Sequence, residues 1–458
     1  MKPNPYETPQ ATDVATHETP LESATRPSWT RFVALAFLCS LAAVLYLDRI
    51  CISKAIPSMQ REIPGLSDWY VTLVLMAFTF SYGIFEIPAG HWGDTIGARR
   101  VLTRICLCWS LFTALTGAAT GFASLFIVRF LFGAGEAGAY PNAARVLSRW
   151  IPDHERGRAQ GLLLTSGQLG GVAAPTITAY LIEYFGWRWS FVVFGAVGVV
   201  WAAAFWLWFR DDPGEHPAVN AAELELIRRG TRPKSLVHES IPWRLVATNG
   251  SIWLLGTIIT FSAFNSYFYF SWFPKYLEEA RHVSNVTAGW LTSLALAGSA
   301  VGTLAGGVIA DWIVKHSLDA DRGRRWFGAI CFSVAAVALW FGVRLESPLA
   351  MASFAAVSCL AAFMTTPVWW SCAIHVSGKH VGALFGLMNM MGIVGALASQ
   401  FLVGAFITWR ANSGYTGAAK WEGVFIVYVV ILSLAAAGWL LYKSRVVEED
   451  VGQASRLP

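Results

Sequence analysis

Apolar residues run along this chain in stretches of about twenty, the length that crosses a bilayer as a helix, and short polar or basic connections end each stretch. Twelve are legible: 31–52, 69–92, 100–120, 123–147, 158–184, 188–209, 251–275, 286–312, 326–344, 349–375, 382–409 and 423–443. The polar segment 210–247 separates six from six. It holds Pro213, Pro217, Pro233 and Pro242 and a short amphipathic piece, Ala221–Arg229, and reads as a linker. The pattern predicts an all-α membrane protein with twelve transmembrane helices in two pseudo-symmetric six-helix halves, 31–209 and 248–444. A disordered tail precedes them at 1–30, and a second tail follows at 445–458.

Composition agrees with this reading. The chain has 458 residues, 55% of them hydrophobic, a mean hydropathy of +0.48 and 14% charged residues, where a soluble domain carries about a quarter. The first thirty residues are polar and contain no apolar signal core. Most of the seven cysteines lie in apolar stretches, where the thiol acts as a small hydrophobe, and no metal-ligand spacing appears. No cofactor or metal is implied. The net charge of +5 follows from topology and calls for no nucleic-acid partner. With the N-terminus inside, Lys and Arg favour the inner segments roughly three to one. Both termini are therefore predicted to be cytoplasmic, in a multi-pass protein of the cell (inner) membrane.

Charge inside the apolar stretches carries the chemistry. Arg129 and Glu136 lie within the fourth, seven residues apart and so on one helix face. Ionised groups at that depth persist where they face a bundle interior or an aqueous path. Gly133, Gly135 and Gly138 thin the same segment for close approach of a neighbour. The letters Gly133-Ala-Gly135-Glu136-Ala-Gly138 also match a dinucleotide-binding pattern, but no strand precedes them and the context rules that out. Glu86 is a third intramembrane acid, one turn after Tyr82, read as a proton site or a gate hydrogen bond. Gly298, Gly302 and Gly306 recur at intervals of four and mark a helix-packing face. The two halves echo each other: Gly90-His-Trp-Gly-Asp94-Thr-Ile-Gly97-Ala-Arg99-Arg100 closes the second stretch, and Gly307-Val-Ile-Ala-Asp311-Trp closes the eighth. Duplicated halves of this kind rock about a central site.

The Gly90–Arg100 segment resembles the signature loop of the major facilitator superfamily. Tyr46-Leu-Asp48-Arg49, the Arg129–Pro141 stretch and Trp150-Ile-Pro152…Glu155-Arg156 resemble its anion:cation symporter branch, over residues from about 30 to 445. That branch includes bacterial importers of galactonate, hexuronates and phthalate. The resemblance implies proton-coupled uptake of an organic anion, a sugar acid such as galactonate, glucarate or a hexuronate, by a monomer working through alternating access. It implies that Arg49 binds the substrate carboxylate, with Tyr46, Tyr82, Gln168, Trp370, Ser371 and Asn389 lining the cavity. It further implies that Asp48 and Glu136 form the protonatable pair, with Arg129 as the partner of Asp48. Asp94, Arg99, Arg100 and Asp311 read as a gate, since charge pairs at the inner surface can hold two helices together and part on opening. Exchange of anions, or carriage of an aromatic carboxylate, remains the alternative. A receptor or membrane enzyme finds no Ser/His/Asp set, metal cluster or long cytoplasmic domain to support it.

Overall fold

The computed structural model describes residues 26–229, 243–317, 319–377 and 381–443. Residues 1–25 of the expected N-terminal tail, the whole expected C-terminal tail 445–458 together with residue 444, and residues 230–242 of the linker lie outside the described residues. The described chain is helical, without a strand among the described residues. Its first group comprises α1 (Thr30–Glu62), α2 (Asp68–Ile96), α3 (Ala98–Thr116), α4 (Phe122–Glu136), α5 (Ala139–Trp150), α6 (Asp153–Phe185) and α7 (Trp187–Trp208). Two short helices follow, α8 (Ala221–Arg229) and α9 (Trp243–Thr248). The second group comprises α10 (Gly250–Ser271), α11 (Phe273–Arg281), α12 (Asn285–His316), α13 (Ala320–Gly342) and α14 (Pro348–Met364). It is completed by α15 (Thr366–Ser377), α16 (Val381–Asn412), α17 (Gly417–Trp421) and α18 (Val424–Leu441). The end of the bundle that carries Thr30 and Leu441 is the terminal end; the opposite one is the far end.

All twelve anticipated stretches are helical. Nine helical segments among the described residues are long and apolar enough to cross a membrane. Their outward residues are those lipid tolerates: Val308 is 73% exposed, Val200 69% and Ile127 56%. α3, α6 and α10 fall short of that apolarity although each has at least 19 residues. α6 packs on α1 on one side and α12 on the other, so helix rather than lipid covers much of it.

Two boundaries differ from expectation. α1 runs to Glu62, ten residues beyond the apolar stretch, because its last turns are held by polar contacts that hydropathy does not register. The fourth stretch is not continuous: α4 ends at Glu136, and Gly138, at φ +85°, redirects the chain into α5. The tenth stretch breaks likewise at Thr365, before Pro367, between α14 and α15. Pro removes a helical donor and crowds the preceding turn, which accounts for the second break.

Within the first group α1 packs on α6, α2 on α4 and α3 on α7; within the second, α12 packs on α14, α10 on α16 and α13 on α18. A Cβ on Gly298, Gly302 or Gly306 would come within 2.1–2.2 Å of the carbonyl oxygens of Ala356, Leu360 and Met364, so α12 and α14 meet backbone to backbone as the spacing predicts. The groups touch each other chiefly along two seams, α2 on α16 and α6 on α12, with α1 also meeting α10 and α11. The first carries Gly404 against Thr72, a Thr79–Gln400 hydrogen bond of 3.0 Å and Gly83 against Ile393. The second carries Asn285–Ala179, Thr176–Ser293 and Gln168–Ser299 hydrogen bonds. The groups are thus closed against each other from the far end to the middle.

Candidate functional site

Halfway along α1, Asp48 and Arg49 point to different surroundings. The Arg49 guanidinium reaches α4, where its Nε donates to Glu136 Oε1 at 3.0 Å and its Nη2 makes a second contact to the same oxygen. The Arg49 side chain keeps 13% exposure while Glu136 is fully buried, so one partner of the pair is open to a visitor and the other is not. Three rings enclose the guanidinium, with centroids 5.3 Å (Tyr46), 5.2 Å (Phe78) and 4.8 Å (Tyr82) away, distances at which cation–π attraction is felt. Tyr267, from α10, lies within electrostatic reach of Arg49, Glu136 and Glu86 and brings the second group of helices to the site.

Behind this surface lies a buried layer. Asp48 is fully buried near the Trp109 indole and the Thr113 hydroxyl on α3, yet neither carboxylate oxygen has a hydrogen bond of good geometry among the described residues. Arg129 is 1% exposed and stacks over Phe132 at 4.2 Å and Phe78 at 5.3 Å, so both guanidiniums lie against the Phe78 ring. The anticipated partnership of Arg129 with Asp48 is electrostatic proximity: no salt bridge within 4 Å joins them. Both are buried, and a direct pair in such surroundings repays its desolvation only with close geometric matching.

The break after α4 places Glu136. Gly138 adopts the left-handed conformation, and a Cβ there would sit 2.5 Å from that of Ala89, so α2 approaches at this point only because the residue is glycine. Asn142 spans the break, its amide donating to the Gly138 carbonyl at 2.7 Å and the Ala89 carbonyl at 3.3 Å. Gly133 meets α2 as expected, its position lying over Ser81 and the Phe78 carbonyl. Glu136 is therefore the last residue of a helix, at a turn, and not the middle of a continuous span as the sequence suggests.

Among the other anticipated residues, Gln168 accepts from Ser299 at 3.2 Å across the α6–α12 seam. Asn389 donates to Glu86 Oε2 at 3.3 Å across the α2–α16 seam, and the Tyr82 hydroxyl donates to Glu86 Oε1 at 3.5 Å. Trp370 lies beside Trp369, ring centroids 5.7 Å apart. Ser371 is exposed on α15 and takes part in none of the described hydrogen bonds that gather the other residues. Arg49, Tyr46, Tyr82, Glu136 and Glu86 thus form one cluster that Asn389 and Tyr267 join from the second group.

A family model described as Major Facilitator Superfamily matches residues 38–400. The chain belongs to the Major Facilitator Superfamily. It is a transporter and not an enzyme. A "Probable sulfoacetate transporter SauU" from Cupriavidus necator is 32% identical over 383 residues, covering 82% of this chain and 87% of that protein. The "Probable galactarate/D-glucarate transporter GudP" of Escherichia coli is 27% identical, covering 89% and 93%. A D-galactonate transporter of Escherichia coli is also 27% identical, covering 83% and 90%. Among solved structures, a bacterial homologue of the human lysosomal transporter Spinster, in an inward-facing and unoccupied conformation, superposes with a TM-score of 0.73 at 20% identity, covering 92% of this chain and 98% of that one.

In this superfamily member the signature segment is mostly helix. α2 continues to Ile96, and Gly97, at φ +87°, alone turns the chain into α3. The Arg99 amide donates to Asp211 at 3.0 Å, and its guanidinium donates to the Trp206 carbonyl and stacks on the Trp206 ring at 4.4 Å. These contacts stay inside the first group of helices. Arg100 is exposed. Asp94 lies in α2 and Asp311 in α12, and their side chains fall outside the described set.

Among the described residues, the ion pairs that bridge the groups lie at the far end, and sequence reading missed them. Lys54 of α1, fully buried, binds Glu278 of α11 and Asn285 of α12. Lys275 of α11, 1% exposed, binds Asp68 and Gln60 of the first group and Glu279 at 3.2 Å. Lys420 of α17 reaches Asp68 at 2.5 Å and Glu279 at 3.1 Å. Each lysine stands at the edge of an apolar stretch, where it reads as an ordinary boundary residue. The available signal was the matching set of acids at the edges of other stretches.

Proposed function

We propose that the protein is a proton-coupled symporter for an organic anion, a sugar acid of the galactonate, glucarate or hexuronate kind, taken up by alternating access. Twelve spans in two six-helix halves would rock about the Arg49 cluster, with both termini in the cytoplasm and the monomer as the working unit. The observation that carries this reading is the Arg49–Glu136 pair, half reachable and half buried. A guanidinium binds a carboxylate through a planar fork, and here Glu136 already occupies part of that fork. Substrate and Glu136 therefore compete for Arg49. A proton on Glu136 ends the competition by removing the charge that holds it, so proton and anion enter together. Asp48, buried behind Arg49 without a salt bridge, is the second proton carrier of this scheme. The names of the relatives support the substrate class. Asp94, Arg99, Arg100 and Asp311 are proposed to act when the terminal end closes.

The test is uptake of labelled galactonate into proteoliposomes under an inward proton gradient, with and without an uncoupler. Accumulation that the uncoupler abolishes supports symport. Uptake that ignores the gradient and requires an internal anion would establish exchange instead, and no flux of any sugar acid would remove the substrate class.

A further inference from the structure

Glu86 is the one acid at the site that the symport scheme leaves without a task. Its carboxylate lies on the α2 wall of the cluster, accepting from Tyr82 of its own helix and from Asn389 of α16. It is partly exposed, unlike Asp48 and Glu136. Tyr82, whose ring covers Arg49 at 4.8 Å, ties the two residues together, and Glu86 is near enough to Arg49 to interact with it electrostatically. The described site thus gathers two cations, Arg49 and Arg129, and three acids, Asp48, Glu136 and Glu86.

Resting on the symport reading and narrowing its substrate class, we infer that Glu86 sets the charge of the substrate: it favours a monoanion with hydroxyl donors, such as galactonate or a hexuronate, and turns away dianions, so that glucarate drops out of the class named above. With Glu136 protonated, Arg49 is free to take one carboxylate. In the proposed pose the remainder of the substrate extends along the wall that Glu86 and Asn389 share. A carboxylate only accepts hydrogen bonds, so a hydroxyl beside Glu86 is welcome. A second carboxylate at the same place meets like charge in surroundings where repulsion is weakly screened. Because Glu86 also bridges the helix groups through Asn389, a hydroxylated substrate can join this hydrogen bond without breaking the seam.

Galactonate and galactarate test the inference, since they share a carbon chain and differ at C6, an alcohol in one and a carboxylate in the other. Binding of both to the purified full-length protein is measured by ligand-induced thermal stabilisation. Wild type is expected to prefer galactonate. Glu86→Gln, which keeps the shape and removes the charge, should narrow the ratio of the two affinities about tenfold or more, near one like-charge interaction. Glu86→Asp should preserve the preference. Should Glu86→Gln fail to fold, Asn389→Asp adds charge at the same wall and must widen the ratio. A wild type that prefers galactarate, or a ratio unmoved by Glu86→Gln or, in its place, by Asn389→Asp, overturns the assignment while leaving organic-anion transport intact. If wild type binds neither acid nor a hexuronate, the symport reading falls and this inference with it.

Discussion

At the residue scale the site turns on the geometry of one guanidinium. Arg49→Lys retains the positive charge but replaces a planar two-pronged donor with a point charge. It should weaken binding of a sugar acid by about tenfold or more, the loss of one charge-assisted hydrogen bond, while folded yield by size-exclusion chromatography stays near wild type. Unchanged affinity would show that the substrate is anchored elsewhere. Glu136→Gln imitates the protonated acid in shape and leaves Arg49 uncontested. Binding should persist and counterflow exchange should continue, whereas accumulation against a gradient should be lost. Continued accumulation in that variant would move the coupling proton to Asp48 or Glu86.

At the scale of the helices, the informative comparison lies within α12. Gly302 faces the Leu360 carbonyl, with a would-be Cβ at 2.2 Å, whereas Gly307 would meet nothing nearer than Pro367 at 3.9 Å. Gly302→Ala should destabilise by about 1–3 kcal/mol, the usual cost of overpacking, and lower the melting temperature in detergent. Gly307→Ala should be neutral or slightly stabilising, because alanine favours the helix by about 1 kcal/mol. Equal effects at the two positions would mean that α12 and α14 do not pack as described. The helices themselves were legible because apolar runs of bilayer length have few other interpretations. The glycine face was legible because close packing recurs every four residues. The break after Glu136 was not: Gly133, Gly135 and Gly138 all look alike in an apolar stretch and all meet a neighbouring helix, and of the three only Gly138 takes the positive φ that makes the turn. Arg49 and Glu136 could be named from their motifs, but their direct pairing joins residues 87 apart in the chain, a distance that local patterning does not report.

At the scale of the whole molecule, charge holds the far end shut. Asp68 receives both Lys275 and Lys420. Asp68→Asn would leave the largely buried Lys275 and Lys420 with Glu279 alone between them, a cost of up to about 3–5 kcal/mol, the range for breaking a buried ion pair. That cost falls on the closed arrangement, because in the open one water serves the lysines, so the equilibrium moves towards far-end opening. A reporter cysteine at Thr79, buried at the seam against Gln400, in a background lacking the seven native free cysteines, should then be alkylated at least tenfold faster. No gain in labelling would show that the apolar seams, not the charges, keep the groups together.

The same lysine cluster gives this transporter a thermal bias. Ions in water order the solvent around them, so their hydration grows less favourable on warming and the penalty for drying them falls. Separating Lys54, Lys275 and Lys420 from their carboxylates rehydrates each of them and releases no comparable entropy. Heat should therefore favour the shut far end, and cooling should favour its opening, the reverse of the usual expectation that warmth loosens a structure. A pair of spin labels across the α2–α16 seam should report a larger closed fraction at high temperature than at low, and the slope should flatten once Asp68 is neutral.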